Sequence, residues 1–157
     1  MSRISLPRGA AAVLLVALAS ACARASGPGI ESALPVLPGS PWDGAHEALA
    51  RLDPHLRDAS AVGARASTAK TEVVIAGVRF EEVMITAKAD LPRVRSVSLA
   101  AAPPRDGCEH VREELVKALG PAWNVGETRL GATTARHDGQ VARIVCNGAE
   151  LSLTIAG

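Results

Sequence analysis

The stretch that decides the fold is residues 136–153, RHDGQVARIVCNGAELSL, in which two turn signals enclose an apolar strand. Asp138-Gly139 and Asn147-Gly148 are both dipeptides that favour two-residue hairpin turns. A two-residue turn at the second site pairs Cys146 with Ala149, Ile144 with Leu151 and Ala142 with Leu153, and these apolar side chains share one face. The opposite face pairs Val145 with Glu150 and Arg143 with Ser152. A slip of one residue would bury the charged side chains, so the sequence specifies which face is buried.

The first turn signal, Asp138-Gly139, places a further strand beside this hairpin. A two-residue loop there pairs Arg136 with Val141, Thr134 with Arg143 and Ala132 with Val145. The outer face of these strands then carries three aliphatic residues and two arginines, namely Leu130, Val141, Val145, Arg136 and Arg143. An apolar patch bordered by arginine is typical of surfaces that bind other proteins, so these five residues form a candidate partner face.

An amphipathic helix precedes this meander. Asp106 stands at its start and Glu109 follows three residues later, which is the spacing of a capping box. Residues at helical spacing form its buried stripe, which consists of Cys108, Val111, Leu115, Val116 and Leu119. Because Cys108 lies on this stripe and Cys146 lies on the core face of the hairpin, the sequence predicts a disulfide between them. The bridge would offset a core that is rich in alanine and poor in large side chains.

The first part of the domain is read in the same way. We expect a helix at Asp43–Leu52, a loop at 59–70, and strands at Thr71–Ala76, Phe80–Ala89 and Val94–Ala101. The predicted fold class is therefore α+β, with two helices packed on an antiparallel sheet in the order α-β-β-β-α-β-β-β and one disulfide. This order suggests two copies of one unit, but no convincing residue pattern shared by the two halves supports that interpretation.

Residues 1–21 have the pattern of a secretory signal peptide. Arg3 and Arg8 supply a basic start, and no charged residue occurs from Gly9 to Ala23. This apolar run is shorter than the roughly 20 residues that a helix needs to span a bilayer. We therefore expect the protein to be exported and this segment to be removed.

The residues Leu18-Ala19-Ser20-Ala21-Cys22 resemble the lipobox of bacterial lipoproteins, in a relaxed form in which Ala19 replaces the usual Leu, Val or Ile. The resemblance implies that Cys22 becomes the first residue of the mature chain, with a diacylglyceryl group on its thiol and an acylated amino group. It implies a lipid-anchored protein of the cell envelope, and Ala23 after the cysteine favours the outer membrane in bacteria that have one. The alternative is an ordinary signal peptidase cut after Ala21, Ala23 or Ala25.

Residues 22–41 are rich in proline, glycine, serine and alanine, which is the composition of a flexible tether. The predicted organisation is therefore a signal peptide at 1–21, a tether at 22–41 and a single α+β domain at 42–157. If Cys22 is lipidated or removed, Cys108 and Cys146 are the two cysteines that remain to pair.

Little in the sequence points to catalysis or to a cofactor. The four histidines are scattered, without the spacing of metal ligands, and the chain contains no G-x-S-x-G elbow, P-loop or C-x-x-C motif. Aromatic residues make up 2% of the chain and its net charge is +1, which count against base stacking and against broad attraction to nucleic acid. We expect no metal site, no cofactor, no nucleic-acid partner and no enzymatic activity.

Two functional hypotheses follow from these observations. The leading one is a non-enzymatic, envelope-anchored lipoprotein that acts as an interaction or structural module and binds a protein partner; an inhibitor or immunity-type protein is one form of it. The alternative is a secreted or tethered domain that binds a small apolar ligand between helix and sheet, because an alanine-rich core can leave a cavity there.

Overall fold

The computed structural model describes residues 29–157, so the predicted signal peptide and Cys22 lie outside the described residues. The elements in chain order are a 3-10 helix at Ile30–Ala33, α1 at Trp42–Leu52, β1 at Arg57–Ala61, β2 at Ala64–Ile75, β3 at Val78–Lys88, β4 at Ser96–Ala101, α2 at Cys108–Leu119, β5 at Asn124–Val125, β6 at Ala132–His137, β7 at Gln140–Cys146 and β8 at Leu151–Ala156.

These eight strands form one antiparallel sheet in the order β1-β2-β3-β4-β8-β7-β6-β5, and both helices pack on the same face of it. Helix α1 lies over β2 and β3, and α2 lies over β7. Side chains alternate along each strand, so Val83 and Ile85 are buried under the helices whereas Met84 and Thr86 point to the other face. The α+β class with two helices on an antiparallel sheet is confirmed, but four strands follow each helix instead of three.

The additional strand of the first half is a correction, because residues 59–70 were expected to form a loop. They belong to the hairpin of β1 and β2, which turns at Val62-Gly63. Alanine, the commonest residue of this segment, favours strands only weakly, yet Ser67 and Ala69 are fully buried in β2, which packs against α1. This strand therefore forms because tertiary packing buries its small side chains, and local strand propensity alone does not predict it.

The predicted register of the last strands is correct for one hairpin and wrong for the other. Across Asp138-Gly139 the pairs Arg136–Val141, Thr134–Arg143 and Ala132–Val145 form as expected. Across Asn147-Gly148 the loop has four residues instead of two, and Cys146 pairs with Leu151 rather than Ala149. The side chain of Asn147 closes this longer loop, because its Oδ1 accepts the backbone N–H groups of Ala149 and Glu150 at 2.8 and 3.0 Å. The shift is two residues, so the same face stays buried.

The predicted disulfide is present and joins the start of α2 to the end of β7. Cys108 and Cys146 are bonded, with their Cα atoms 5.5 Å apart. The capping box predicted from Asp106 and Glu109 does not form, because Gly107 is the residue that precedes the helix and no side chain caps it. Its φ of +95° is an extended left-handed conformation that glycine adopts readily.

The part of the expected tether that the structure describes packs on the domain. Ile30 and Val36 belong to the hydrophobic core, with 2% and 6% of their surface exposed. Backbone hydrogen bonds join Gly39 and Ser40 to Val94. Residues 29–41 thus differ from the extended spacer that their composition suggested, because three apolar side chains in a proline-rich stretch suffice to anchor it; these are Ile30, Leu34 and Val36.

The two halves of the domain repeat one another. Each half is a helix followed by four strands, and the strand order is symmetric about the junction of β4 and β8. In sequence, ASTAKTE at 66–72 corresponds to ATTARHD at 132–138, and the buried Leu49 of α1 corresponds to Leu115 of α2, in both cases 66 positions later. A residue pattern shared by the two halves is therefore present, in short segments at a constant spacing, which corrects the interpretation from the sequence alone.

Candidate functional site

The first candidate site is the sheet face opposite the two helices, which no element of residues 29–157 covers and which we call the open face. Its centre is a row of directly paired residues that crosses six strands, namely Thr68, Met84, Ser98, Thr154, Arg143 and Thr134. All of them are half-buried or exposed, because no element of residues 29–157 packs over them. The row is symmetric, since Thr68 and Thr134 occupy equivalent strands of the two halves.

Most side chains in the middle of the open face are small and carry hydroxyl groups. The hydroxyls of Thr86 and Ser96 are 2.6 Å apart, and those of Ser98 and Thr154 are 2.9 Å apart. Because these groups bond to each other across neighbouring strands, they are satisfied without a ligand. The arrangement gives a shallow surface on which another protein could approach the sheet closely, and it offers no activated nucleophile.

Four of the five residues of the candidate partner face lie on the open face, in β6 and β7. Val141 and Arg143 are exposed, Arg136 is exposed beside Val141, and Val145 is half-buried. Leu130 is not part of the sheet, which corrects its expected position. It lies in the turn closed by Arg129 and Ala132, has a φ of +49° and is fully exposed.

The first half of this surface is not apparent from the sequence alone. Thr68 falls in the segment that is expected to be a loop, and Thr86 and Ser98 resemble an ordinary solvated strand face when they are considered alone. The signal that identifies them is the internal repeat, because Thr68 corresponds to Thr134 at the spacing of 66 positions. Because the two halves repeat, the residues of this surface in one half identify the equivalent residues in the other half.

The charge on the open face is mainly positive. Among the described residues, Arg136 and Arg143 make no ion pair, and neither do Lys88 and Arg95, which border a hollow of about 480 Å³ on this face. Two acidic side chains in the strands of this face, Glu82 and Glu72, are neutralised by Arg57 at 2.7 Å and by Arg79 at 3.2 Å. The remaining basic groups can attract an acidic surface.

A second candidate site is an apolar groove of about 650 Å³ on the helix side of the sheet. It lies between the 3-10 helix, the end of β2 and the C-terminal end of α2, and its walls include Ile30, Ile75, Ala118, Leu119 and Trp123. We call this feature the groove.

Two basic side chains lie among the groove's lining residues. The His137 ring packs 5.7 Å from the Trp123 ring, measured between centroids. The Lys117 ammonium lies 2.6 Å from the Glu114 carboxylate, and this hydrogen bond raises the pKa of Lys117 and lowers the pKa of Glu114. Lys117 therefore stays protonated at neutral pH and the Glu114 carboxylate balances its charge, so an ion pair lies beside the apolar walls of the groove.

One cluster contains the residue types of a catalytic triad, but its order excludes that role. The Asp58 carboxylate lies between Ser67 Oγ, at 2.5 Å, and His46 Nε2, at 3.2 Å. In a triad the histidine contacts the serine and takes its proton, whereas here the aspartate separates them. Ser67 is also fully buried. The Ser67 hydrogen bond, with a smaller contribution from His46, lowers the pKa of Asp58, so the cluster is a structural link between α1, β1 and β2.

Residues 29–157 contain no group of three or more histidine, cysteine or acidic side chains arranged to hold a metal ion. In the same residues, no helix has the length and apolar character needed to cross a membrane. Comparison with known proteins finds no matching family model, no similar curated protein and no similar solved structure.

Proposed function

We propose that this protein is a non-enzymatic lipoprotein of the cell envelope, anchored through Cys22, whose open face binds a protein partner. The observation that carries the binding role is the eight-stranded sheet with both helices on one side, because no element of residues 29–157 covers the opposite face. A surface of this kind suits a macromolecule better than a small ligand, which needs a concave pocket.

The charge of the open face favours a partner with an acidic contact surface. Arg143 stands in the central row between Thr154 and Thr134, and Arg136 flanks the aliphatic Val141. An acidic partner would pair with these guanidinium groups, which carboxylates can bind through two hydrogen bonds. The aliphatic side chains beside them would supply the dry centre of the interface.

A photo-crosslinking amino acid at Thr154 tests this proposal in the native host. We expect it to form one discrete protein adduct, whereas the same group at Glu113, on the exposed side of α2, forms none. Arg143→Glu should remove the Thr154 adduct, and Arg105→Glu, at an exposed residue of the linker between the halves, should leave it unchanged. An adduct that survives Arg143→Glu and Val145→Asp with the fold intact would exclude the open face as the interface.

Mass spectrometry of the N-terminal peptide tests the anchor. A peptide that begins with acylated Cys22 supports attachment to a membrane, and two or more acyl chains are enough for stable attachment. An unmodified peptide that begins at Arg24 or Ser26 would make the protein a secreted one and would contradict the anchor.

The groove supports a second candidate function, the binding of a small apolar ligand. Its volume of about 650 Å³ lies within the range of small-molecule sites, which is roughly 300–1,000 Å³. Mass spectrometry of the purified protein under native conditions would detect a retained ligand.

A further inference from the structure

The groove lies where the N-terminal segment enters the domain. Gly29 is both the first described residue and one of the groove's lining residues. Cys22 precedes it by seven positions. A fully extended chain advances at most about 3.3–3.6 Å per residue, so Cys22 lies within about 25 Å of the groove. An acyl chain on Cys22 can therefore reach it.

The chemistry of the groove suits a long hydrocarbon chain. Ile30, Ile75, Leu119 and Trp123 belong to the hydrophobic core and line the groove. A lipid-modified protein that is outside a bilayer exposes its acyl chains to water. Placing one chain against these walls removes two apolar surfaces from water at once, which is the dominant favourable contribution to such an association.

We propose that the groove holds a long acyl chain and that, when the protein is outside a membrane, this chain is one of those attached to Cys22. The inference rests on the lipidation of Cys22 under the proposed function. It gives the groove an occupant that is always within reach, and it explains why residues 29–36 are packed against the domain, since this packing keeps the attachment point beside the groove.

The two tryptophans of the chain make the proposal testable, because Trp123 lines the groove and Trp42 does not. Dibromostearate is a fatty acid whose bromine atoms quench tryptophan fluorescence on contact. It is added to Cys22→Ala protein in which Trp42→Phe or Trp123→Phe leaves a single tryptophan. We expect Trp123 emission to fall and to saturate at one dibromostearate per protein, while Trp42 emission stays constant.

Two further variants locate the binding site. Ala33→Phe adds a large side chain at an exposed lining residue and should raise the dibromostearate concentration needed for quenching at least tenfold. Ala149→Phe adds the same side chain in the exposed loop before β8, outside the groove, and should change nothing. Equal effects of the two substitutions would overturn the assignment to the groove.

The source of the acyl chain in the groove is tested by comparing Cys22→Ala protein with lipidated protein, both in a steroid-based detergent that has no alkyl chain. We expect added dibromostearate to quench Trp123 in the first and to leave it unchanged in the second, where the groove is already occupied. Equal quenching in both would assign the groove to free fatty acid and overturn the Cys22 source. Absence of quenching in both would overturn the acyl site itself, whereas the lipidation of Cys22 is read separately from the mass of the N-terminal peptide.

Discussion

Gly131 shows how a single residue constrains the second half of the sheet. Its φ is +76°, and a Cβ atom there would lie 2.8 Å from the carbonyl oxygen of Cys146. Its own carbonyl accepts the backbone N–H of Cys146. The backbone of the turn before β6 is thus held directly against the end of β7, next to the disulfide.

We predict that Gly131→Ala lowers the free energy of unfolding by about 1–3 kcal/mol, which is the usual cost of a non-glycine residue forced into such a conformation. Denaturant unfolding measures the change. Gly148→Ala is the matched control, because a methyl there meets no atom within 4 Å and its φ is not positive. Equal effects of the two substitutions would contradict the role of the close contact.

Asp53 is the buried acid that ends α1 and connects it to β2. One carboxylate oxygen accepts the His55 backbone N–H at 2.8 Å and the other accepts that of Lys70 at 2.7 Å. The hydrogen bond from Lys70 is the main reason that the pKa of Asp53 is lowered, and the bond from His55 adds to it. Because the folded pKa lies below the unfolded one, the stabilisation is present above the unfolded pKa and is lost as the pH falls through the folded pKa.

We therefore predict that Asp53→Asn lowers the midpoint temperature of unfolding at neutral pH, because an amide group can accept only one of the two N–H bonds. The difference from the wild type should shrink toward strongly acidic pH. Glu47→Gln serves as control, since the pKa of Glu47 is also lowered, chiefly by its hydrogen bond with Arg51, but both side chains are exposed. A difference for Asp53→Asn that does not change with pH would contradict the titration of Asp53.

At the scale of elements, the disulfide fixes α2 on the sheet. Cys108 and Cys146 are separated by 38 residues, and Cys146 is 1% exposed. In the chain-entropy model a loop of this length contributes about 3–4 kcal/mol to the free energy of unfolding. We predict a loss of that size when the wild type is unfolded in the presence of a reductant. The double variant Cys108→Ala, Cys146→Ala should be less stable from the start and should not respond to the reductant; a response would point to another reducible group.

The elements differ in how far the sequence determines them. The Asp138-Gly139 hairpin could be predicted to the residue, because its turn conformation needs two residues with positive φ and both have it, at 44° and 79°. The Asn147-Gly148 loop could not, because Asn147 bonds its side chain to the backbone and stabilises a longer loop. The β1–β2 hairpin depends on burial of Ser67 and Ala69 under a helix that is distant in sequence, and periodicity within the segment does not reveal that contact.

The open face was predictable in part for the same reasons. Arg136, Val141, Arg143 and Val145 share a face because the correct hairpin register puts them there. Leu130 does not join them, since the turn at Arg129 and Ala132 interrupts the strand before it. The basic group Lys88 ends β3 and Arg95 lies in the loop before β4, and only the three-dimensional order of the strands brings them to the same surface.

At the scale of the whole molecule, β4 and β8 join the two halves into one sheet. Their paired core residues, Leu99 with Leu153 and Val97 with Ile155, are all almost fully buried. The core is a single cluster that extends across this junction and includes Trp42 in the first half and Trp123 in the second. The two halves thus repeat one topology and share a single hydrophobic core.

We predict that the two halves unfold together. The variants Trp42→Phe and Trp123→Phe each leave one tryptophan, which reports on the half that contains it. In each variant, the denaturant transition followed by tryptophan fluorescence should coincide with the transition followed by circular dichroism. Leu153→Ala should shift both transitions by about 2–5 kcal/mol, the usual cost of a buried leucine. Ser152→Ala on the open face is the control and should shift neither appreciably. Separate transitions for the two tryptophans would contradict a common core.

The repeated topology has a consequence for the connectivity of the chain. Gly157 lies beside Pro38, so the end of the last strand is close to the segment that leads into α1. The linker between the halves, which contains Arg105 and Asp106, is exposed. A circular permutant opened in that linker and closed between Gly157 and the segment before α1 would again read helix, four strands, helix, four strands, so exchanging the order of the halves would preserve every strand neighbour in the sheet.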